Sequence, residues 1–116
     1  MKRCYSLKRN KNFRHVYRVG KSNVSRQLVL LCARSKEPRV RVGFSVSKKI
    51  GNSVVRNRVK RRLREALTPL IPTVKEGYDL IFIARDAVVN EKFAAIGASM
   101  QYLLHKANLL KDPEKK

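Results

Sequence analysis

The stretch Arg56-Asn57-Arg58-Val59-Lys60-Arg61-Arg62-Leu63-Arg64 packs six permanent cations, five of them arginine, into nine residues. Its two apolar residues, Val59 and Leu63, are four apart. Residues four apart share one side of an α-helix, so the spacing predicts a helix with one apolar edge and a wide cationic surface. Working outward, Val55, Val59, Leu63, Ala66 and Leu67 form an apolar stripe over residues 53–67. Asn52 or Ser53 can cap the start of this helix. Pro69 disfavours helical geometry at Thr68 and closes the end. At about 100° per residue, Asn57, Lys60, Arg61 and Arg64 point away from the stripe. Arg56 and Arg58 flank that group, and Arg62 sits near the stripe's edge.

The flanking segments place this helix in a fold. Upstream, Val40, Val42, Phe44 and Val46 alternate with Arg41, Gly43, Ser45 and Ser47. A period of two marks a strand with one buried and one polar face. Before it, residues 27–33 are apolar on both strand faces, as in a central strand, and Ser35 to Pro38 form the turn. Downstream, Tyr78 to Ala84 is another largely buried strand. Near the N-terminus Phe13, Val16 and Tyr17 share a helical face, and Gly20 stands in a capping position. A last helix over about 91–110 puts Phe93, Ile96, Met100, Leu103, Leu104 and Ala107 on one side. The order is α-β-β-α-β-α, with room for one more short strand near 20–25. These elements predict an α+β fold, a two-layer α/β sandwich. Its helices, the arginine-rich one over 53–67 among them, cover one face of a small central sheet. One RNA-binding domain spans 1–116, with residues 1–9 a mobile basic arm and 111–116 a mobile tail.

Charge is distributed unevenly. The net charge is +20, and residues 1–64 carry 21 bases against one acid, Glu37, whereas the remainder carries seven of each. Self-repulsion of this size opposes compaction, and a bound polyanion relieves it. A merely solvated helix would intersperse acids, but only Glu65 is at hand to pair with six cations. Like charges at i,i+4, as in Lys60/Arg64 and Arg58/Arg62, also cost a few tenths of a kcal/mol each. The planar arginine fork pairs bidentately with phosphate and stacks on bases, and Asn57 adds an amide able to reach a base edge. A folded RNA is the polyanion that suits this surface best. If roughly four to six of the cations meet phosphates, the log–log salt slope of binding is about −3 to −5.

Other classes fit less well. The N-terminus runs into charge with no apolar signal region, and no stretch approaches the ~18 apolar residues of a membrane span. Two cysteines, Cys4 and Cys32, are too few for a disulfide framework or a zinc site. Cys32, in an apolar run, is expected as a buried thiol, which points to a reducing, cytoplasmic setting. His15 and His105 stand alone, and the eight acids are scattered with no pair in metal-ligand spacing. No catalytic set and no metal site on the chain are expected. Beside Arg41, the small residues Gly43, Ser45 and Ser47 leave a shallow strand face. A groove with aromatic walls results if the Phe13/Tyr17 helix lies along it. From pattern alone those two aromatics are better placed in the core.

From Val46 through Glu65 the chain resembles the signature of the protein subunit of bacterial ribonuclease P. That signature is a basic turn, Gly51-Asn52 here, followed by R-N-R-x-K-R-x-x-R on a helix. A looser resemblance covers the rest: Leu7 to Gly20 looks like the family's first helix, Arg39 to Ser47 its preceding strand, and Tyr78 to Arg85 its last strand. The resemblance implies a catalytic RNA partner that uses Mg2+ to cut precursor tRNA at its 5′ end, with one protein per RNA. It implies that Lys48, Lys49, Arg56, Asn57, Arg58, Lys60, Arg61 and Arg64 contact the catalytic RNA. It also implies that Phe13, Tyr17, Arg41, Ser45 and Ser47 lie at a cleft for the substrate's 5′ leader. This replaces the core placement of the two aromatics. Leu31 stands where some members have an aromatic on the cleft side, which weakens stacking there. The family joins two parallel strands through the arginine-rich helix. A ribosomal protein or RNA chaperone, a self-sufficient nuclease and a DNA-binding protein share the charge and size but not this ordered signature.

Overall fold

The computed structural model describes residues 5–7 and 9–111. Helix α1 (Asn10–Val19) leads into β1 (Lys21–Val24), β2 (Leu28–Arg34) and β3 (Arg41–Ser45). Helix α2 (Ser53–Leu67), β4 (Tyr78–Ala84) and α3 (Phe93–Lys106) follow, with short 3-10 helices at Lys48–Ile50, Thr68–Thr73 and Asp86–Val88. The α+β class, the element order and the additional short strand agree with the sequence pattern. One sheet has the order β1-β2-β4-β3, antiparallel except for the parallel pair β3 and β4. Parallel neighbours need a crossover, and α2 supplies it.

Local chemistry sets the limits of α2. Asn52 is the cap, its side-chain oxygen accepting from the Val55 amide at 3.0 Å. At the other end Thr68 Oγ1 donates to the Arg64 carbonyl at 2.8 Å. Pro69 then opens the 3-10 turn, where its missing amide proton costs nothing. Gly20 ends α1 for a reason of space. Its amide donates to the Val16 carbonyl at 2.8 Å, and a Cβ at this position would lie 2.3 Å from that carbonyl oxygen.

The two faces of the sheet are covered unequally. On one, α2 contributes Val59, Leu63, Ala66 and Leu67 and α3 contributes Ile96, Met100, Leu103 and Leu104. These pack against Leu28, Leu30, Leu80 and Phe82 of the central strands, and most are fully buried. On the opposite face a smaller cluster joins Val16 of α1 to Ala33, Ile81 and Leu7. The helices therefore do not all lie on one face, as the two-layer expectation had it: α1 crosses the back of the sheet. Apolar residues on both faces of β2 and β4 required such a cover, because a face left bare would expose Ala33 and Ile81 to water.

Three local expectations change. In the N-terminal segment Leu7 is buried and its amide donates to the Val42 carbonyl at 2.9 Å, and Ser6 bridges to Val42 in parallel. Residues 5–7 thus extend the sheet beyond β3 rather than forming part of a mobile arm; residues 1–4 and 8 lie outside the described residues. Helix α3 stops at Lys106, short of 110. Asn108 adopts φ 59°, which a short polar side chain tolerates, and the Leu109 amide returns to the Leu104 carbonyl at 2.9 Å. Leu109 stays buried and Leu110 pairs with Val74, while the Lys111 amide donates to the Thr73 carbonyl at 2.7 Å. The remainder of the expected tail, 112–116, lies outside the described residues. Phe93, placed on the inner side of the last helix by pattern, is an exposed residue.

Candidate nucleic-acid interface

Helix α2 separates its side chains as the periodicity predicts. Val59 and Leu63 are buried, while Asn57, Arg58, Arg61 and Arg64 are exposed and Lys60 and Arg56 are partly so. Among the described residues none of its six cations enters an ion pair. Arg56 Nε is buried with no hydrogen-bond partner, leaving an unsatisfied donor at the margin of the cationic surface. Arg62, at the stripe's edge, plays a structural part. Its Nη2 donates to the Glu91 carbonyl at 2.8 Å and ties α2 to the segment before α3. The preceding turn adds two more cations. Ile50 packs on the main core, and a Cβ on Gly51 would lie 2.9 Å from the Val55 side chain. This close approach folds the turn against the first turn of α2 and leaves Lys48 and Lys49 exposed beside it.

The second candidate surface lies on the back of the sheet. Its register stacks side chains in rows across the strands, with neighbours in a row about 5 Å apart. One row is Ala33–Asp79–Arg41, the next Ser22–Leu31–Ile81–Gly43, and the last Val24–Val29–Ile83–Ser45. Helix α1 covers part of the first two rows. Val16 sits on Ala33 and Ile81, and the Phe13 ring lies over Gly43, where a Cβ would be 2.3 Å from the ring. Only glycine admits the ring at this depth. The last row stays open, with Val24 50% exposed, and Tyr17, 49% exposed, stands on α1 beside the half-covered back face. A shelf results, apolar along its floor, with Phe13 at one wall and the Ser45 hydroxyl at one end.

Of the residues assigned to the leader cleft by resemblance, Phe13, Tyr17 and Ser45 come together on this face. Ser47 lies past the end of β3, exposed, at the start of the turn that carries Lys48 and Lys49. Arg41 is otherwise engaged. Its Nε and Nη2 each donate to Asp79 at 2.8 Å, a bidentate fork with the carboxylate 5% exposed. The hydrogen bond to Asp79 pushes the Arg41 guanidinium pKa up, partly offset by burial. The fork fixes the first row beneath α1 and commits two of the five guanidinium N–H donors to Asp79. Sequence reasoning missed Asp79, although one acid inside the run Tyr78-Asp79-Leu80-Ile81 is the signal for a buried pair. It also missed Val24, Val29 and Ile83 as shelf floor, because apolar residues on both strand faces look like core throughout. Leu31 packs against the minor cluster on the α1 side. Cys32 is a free, buried thiol, and burial pushes its pKa up against the lowering influence of Lys21.

These features define a class: a small basic α+β domain in which an arginine-covered helix links two parallel strands. The chain belongs to the ribonuclease P protein family, whose model, described as Ribonuclease P, matches residues 1–108. It is 42% identical to the ribonuclease P protein component of Oceanobacillus iheyensis, an alignment covering 100% of this chain and 97% of that one. It is 45% identical to the corresponding component of Clostridium botulinum, over 89% and 94% of the two chains. The solved RNase P protein of Staphylococcus aureus superimposes with a TM-score of 0.83 at 33% identity, covering 92% of this chain and 98% of that chain. The RNase P protein of Thermotoga maritima shares the fold, with a TM-score of 0.80 at 24% identity over 87% and 96% of the two chains.

Proposed function

We propose that this ribonuclease P protein binds the catalytic RNA through α2 and its preceding turn and takes the 5′ leader of precursor tRNA on the α1 shelf. In this reading it assists endonucleolytic removal of the leader, one protein per RNA, in the cytoplasm. The observation that carries the reading is the undiluted cationic face of α2, with Lys48, Lys49, Arg56, Asn57, Arg58, Lys60, Arg61 and Arg64 free of carboxylate partners among the described residues. Phosphate contacts of this kind give affinity without chemistry. Phe13, Tyr17, Ser45 and Ser47 supply stacking and hydroxyl contacts suited to an unpaired strand.

Among the described residues no three His, Cys, Asp or Glu side chains converge, and the buried acid, Asp79, is committed to Arg41. The proposal accordingly assigns the Mg2+ ions and the catalytic centre to the RNA subunit. The test adds the purified chain to precursor tRNA with and without the cognate catalytic RNA at low magnesium. Enhanced 5′ cleavage only when the RNA is present supports the proposal. No enhancement defeats it, and cleavage by the chain alone overturns the assignment of catalysis to the RNA.

A further inference from the structure

Helix α1 has a second flank. Phe13 and Tyr17 line the side toward the shelf, whereas Asn12, His15 and Val19 line the other. Against that other flank, where β2 ends and β4 begins, lie two adjoining depressions of 490 and 470 Å³ that share His15 and Arg34 as walls. Each is of a size that holds a nucleotide-scale ligand. Lys21 and Lys75 border the first and Lys36 the second. Arg34 also lies over the Tyr78 ring, 5.8 Å from its centroid, so a guanidinium plane backed by an aromatic ring adjoins the lysines. The one acid in this trough, Asp79, is held by Arg41, and none of the four bordering cations forms an ion pair among the described residues.

We infer that this trough is a second site for single-stranded RNA, about two nucleotides long. Phosphates lie between Lys21, Lys36 and Lys75, and a base stacks on the exposed Arg34 guanidinium, which the Tyr78 ring backs. The chemistry favours an unpaired strand. Cations without carboxylate partners that border two nucleotide-sized hollows in series track a backbone, and a guanidinium plane takes a base of any sequence. The first hollow sets an apolar wall, from Val19, Ala33 and Leu109, beside Lys21 and Lys75, and the second is polar throughout. The Arg34–Tyr78 stack holds both groups in position before a ligand arrives, so little side-chain freedom remains to be lost. The strand has two sources compatible with this chemistry: leader nucleotides far from the cleavage site, or an unpaired segment of the catalytic RNA. The inference rests on the proposed function only for that source.

The test measures binding of a fluorescein-labelled hexauridylate to the full chain by anisotropy over a series of salt concentrations. Lys21→Ala/Lys75→Ala is expected to weaken binding roughly tenfold and to reduce the log–log salt slope by about 1.4, the share of two phosphate contacts on a single strand. Lys21→Arg/Lys75→Arg is expected to restore both, which separates charge from folding. An alanine pair that matches the unaltered chain in affinity and slope overturns the trough. With the catalytic RNA present, the source follows from precursor tRNAs with short and long leaders. A loss confined to the long leader assigns the strand to the substrate, and an equal loss of RNA assembly for both assigns it to the catalytic RNA. If the unaltered chain fails to stimulate 5′ cleavage, the proposed function falls, while the hexauridylate result still decides the trough.

Discussion

The cationic face of α2 comes from one run of nine residues, whereas the open row Val24–Val29–Ile83–Ser45 takes one residue from each of four strands. In α2, function and fold are separated by angle around one helix: Leu63 faces the core and Arg61 faces solvent. On the shelf they are superposed, since Phe13 packs into the minor cluster and also forms the wall of the groove. Substitutions on α2 should therefore affect either stability or RNA binding. Substitutions on the shelf should affect both.

The largest effect belongs to the inner side of α2. Leu63→Ala, at a fully buried position, is expected to lower stability by about 3–5 kcal/mol in urea denaturation. Arg61→Ala should change it by no more than about 0.5 kcal/mol and instead weaken assembly with the catalytic RNA and flatten its salt dependence. Similar stability losses for the two would break the separation by angle. Next comes the Arg41–Asp79 fork. Removing Asp79 leaves an unpaired guanidinium under α1. Asp79→Ala should cost about 2–3 kcal/mol, below the full ~3–5 kcal/mol for a buried pair because Arg41 keeps some solvent contact. Arg41→Ala should likewise show as lost stability; a stable Arg41→Ala protein with selectively weakened leader binding would return Arg41 to the cleft.

Gly43→Ala probes the shelf itself. The added methyl meets the Phe13 ring, so a loss of about 1–3 kcal/mol is expected from overpacking. Its affinity for leader-bearing substrate should fall more than its affinity for mature tRNA, as with Phe13→Ala. Equal losses for both ligands would show that Phe13 serves only the fold. The smallest effect lies at the seam between the two surfaces. Gln27 Nε2 donates to Glu91 Oε2 at 2.8 Å, while Arg62 holds the Glu91 carbonyl. The bond from Gln27, then that from the Lys92 amide, draws the Glu91 carboxyl below its ordinary value. A depressed folded-state value means that the contribution is present above the unfolded value and is lost as pH falls through the folded one. Glu91→Gln should therefore remove a small part of the acid sensitivity seen in thermal melts below the ordinary glutamate range; identical melts at every pH would discount the bond.

Legibility follows the range of each interaction. Helix α2 can be placed to the residue from sequence because capping by Asn52, the apolar stripe and the proline stop all act within a turn or two. β4 is likewise legible from its own composition. The end of α3 is not, because Asn108 reverses the chain while the apolar pattern runs on past it. Leu7 reads as part of a loose arm because its partner, the Val42 carbonyl, lies far along the sequence.

By itself the sequence determined the α+β class, the helix over 53–67 and its cationic face, and the signature that marks the family. All of these are set by periodicity and spacing inside single segments, whereas the parallel pairing that makes this helix a crossover is a matter of strand order. Tertiary structure alone decided that α1 lies on the back of the sheet, that Gly43 receives Phe13, that Arg41 belongs to Asp79 and that one row of the sheet stays open. Those depend on strand register and on which face each helix covers. A one-residue change of register would move every side chain of a strand to the other face, so the composition of any one strand could not specify them.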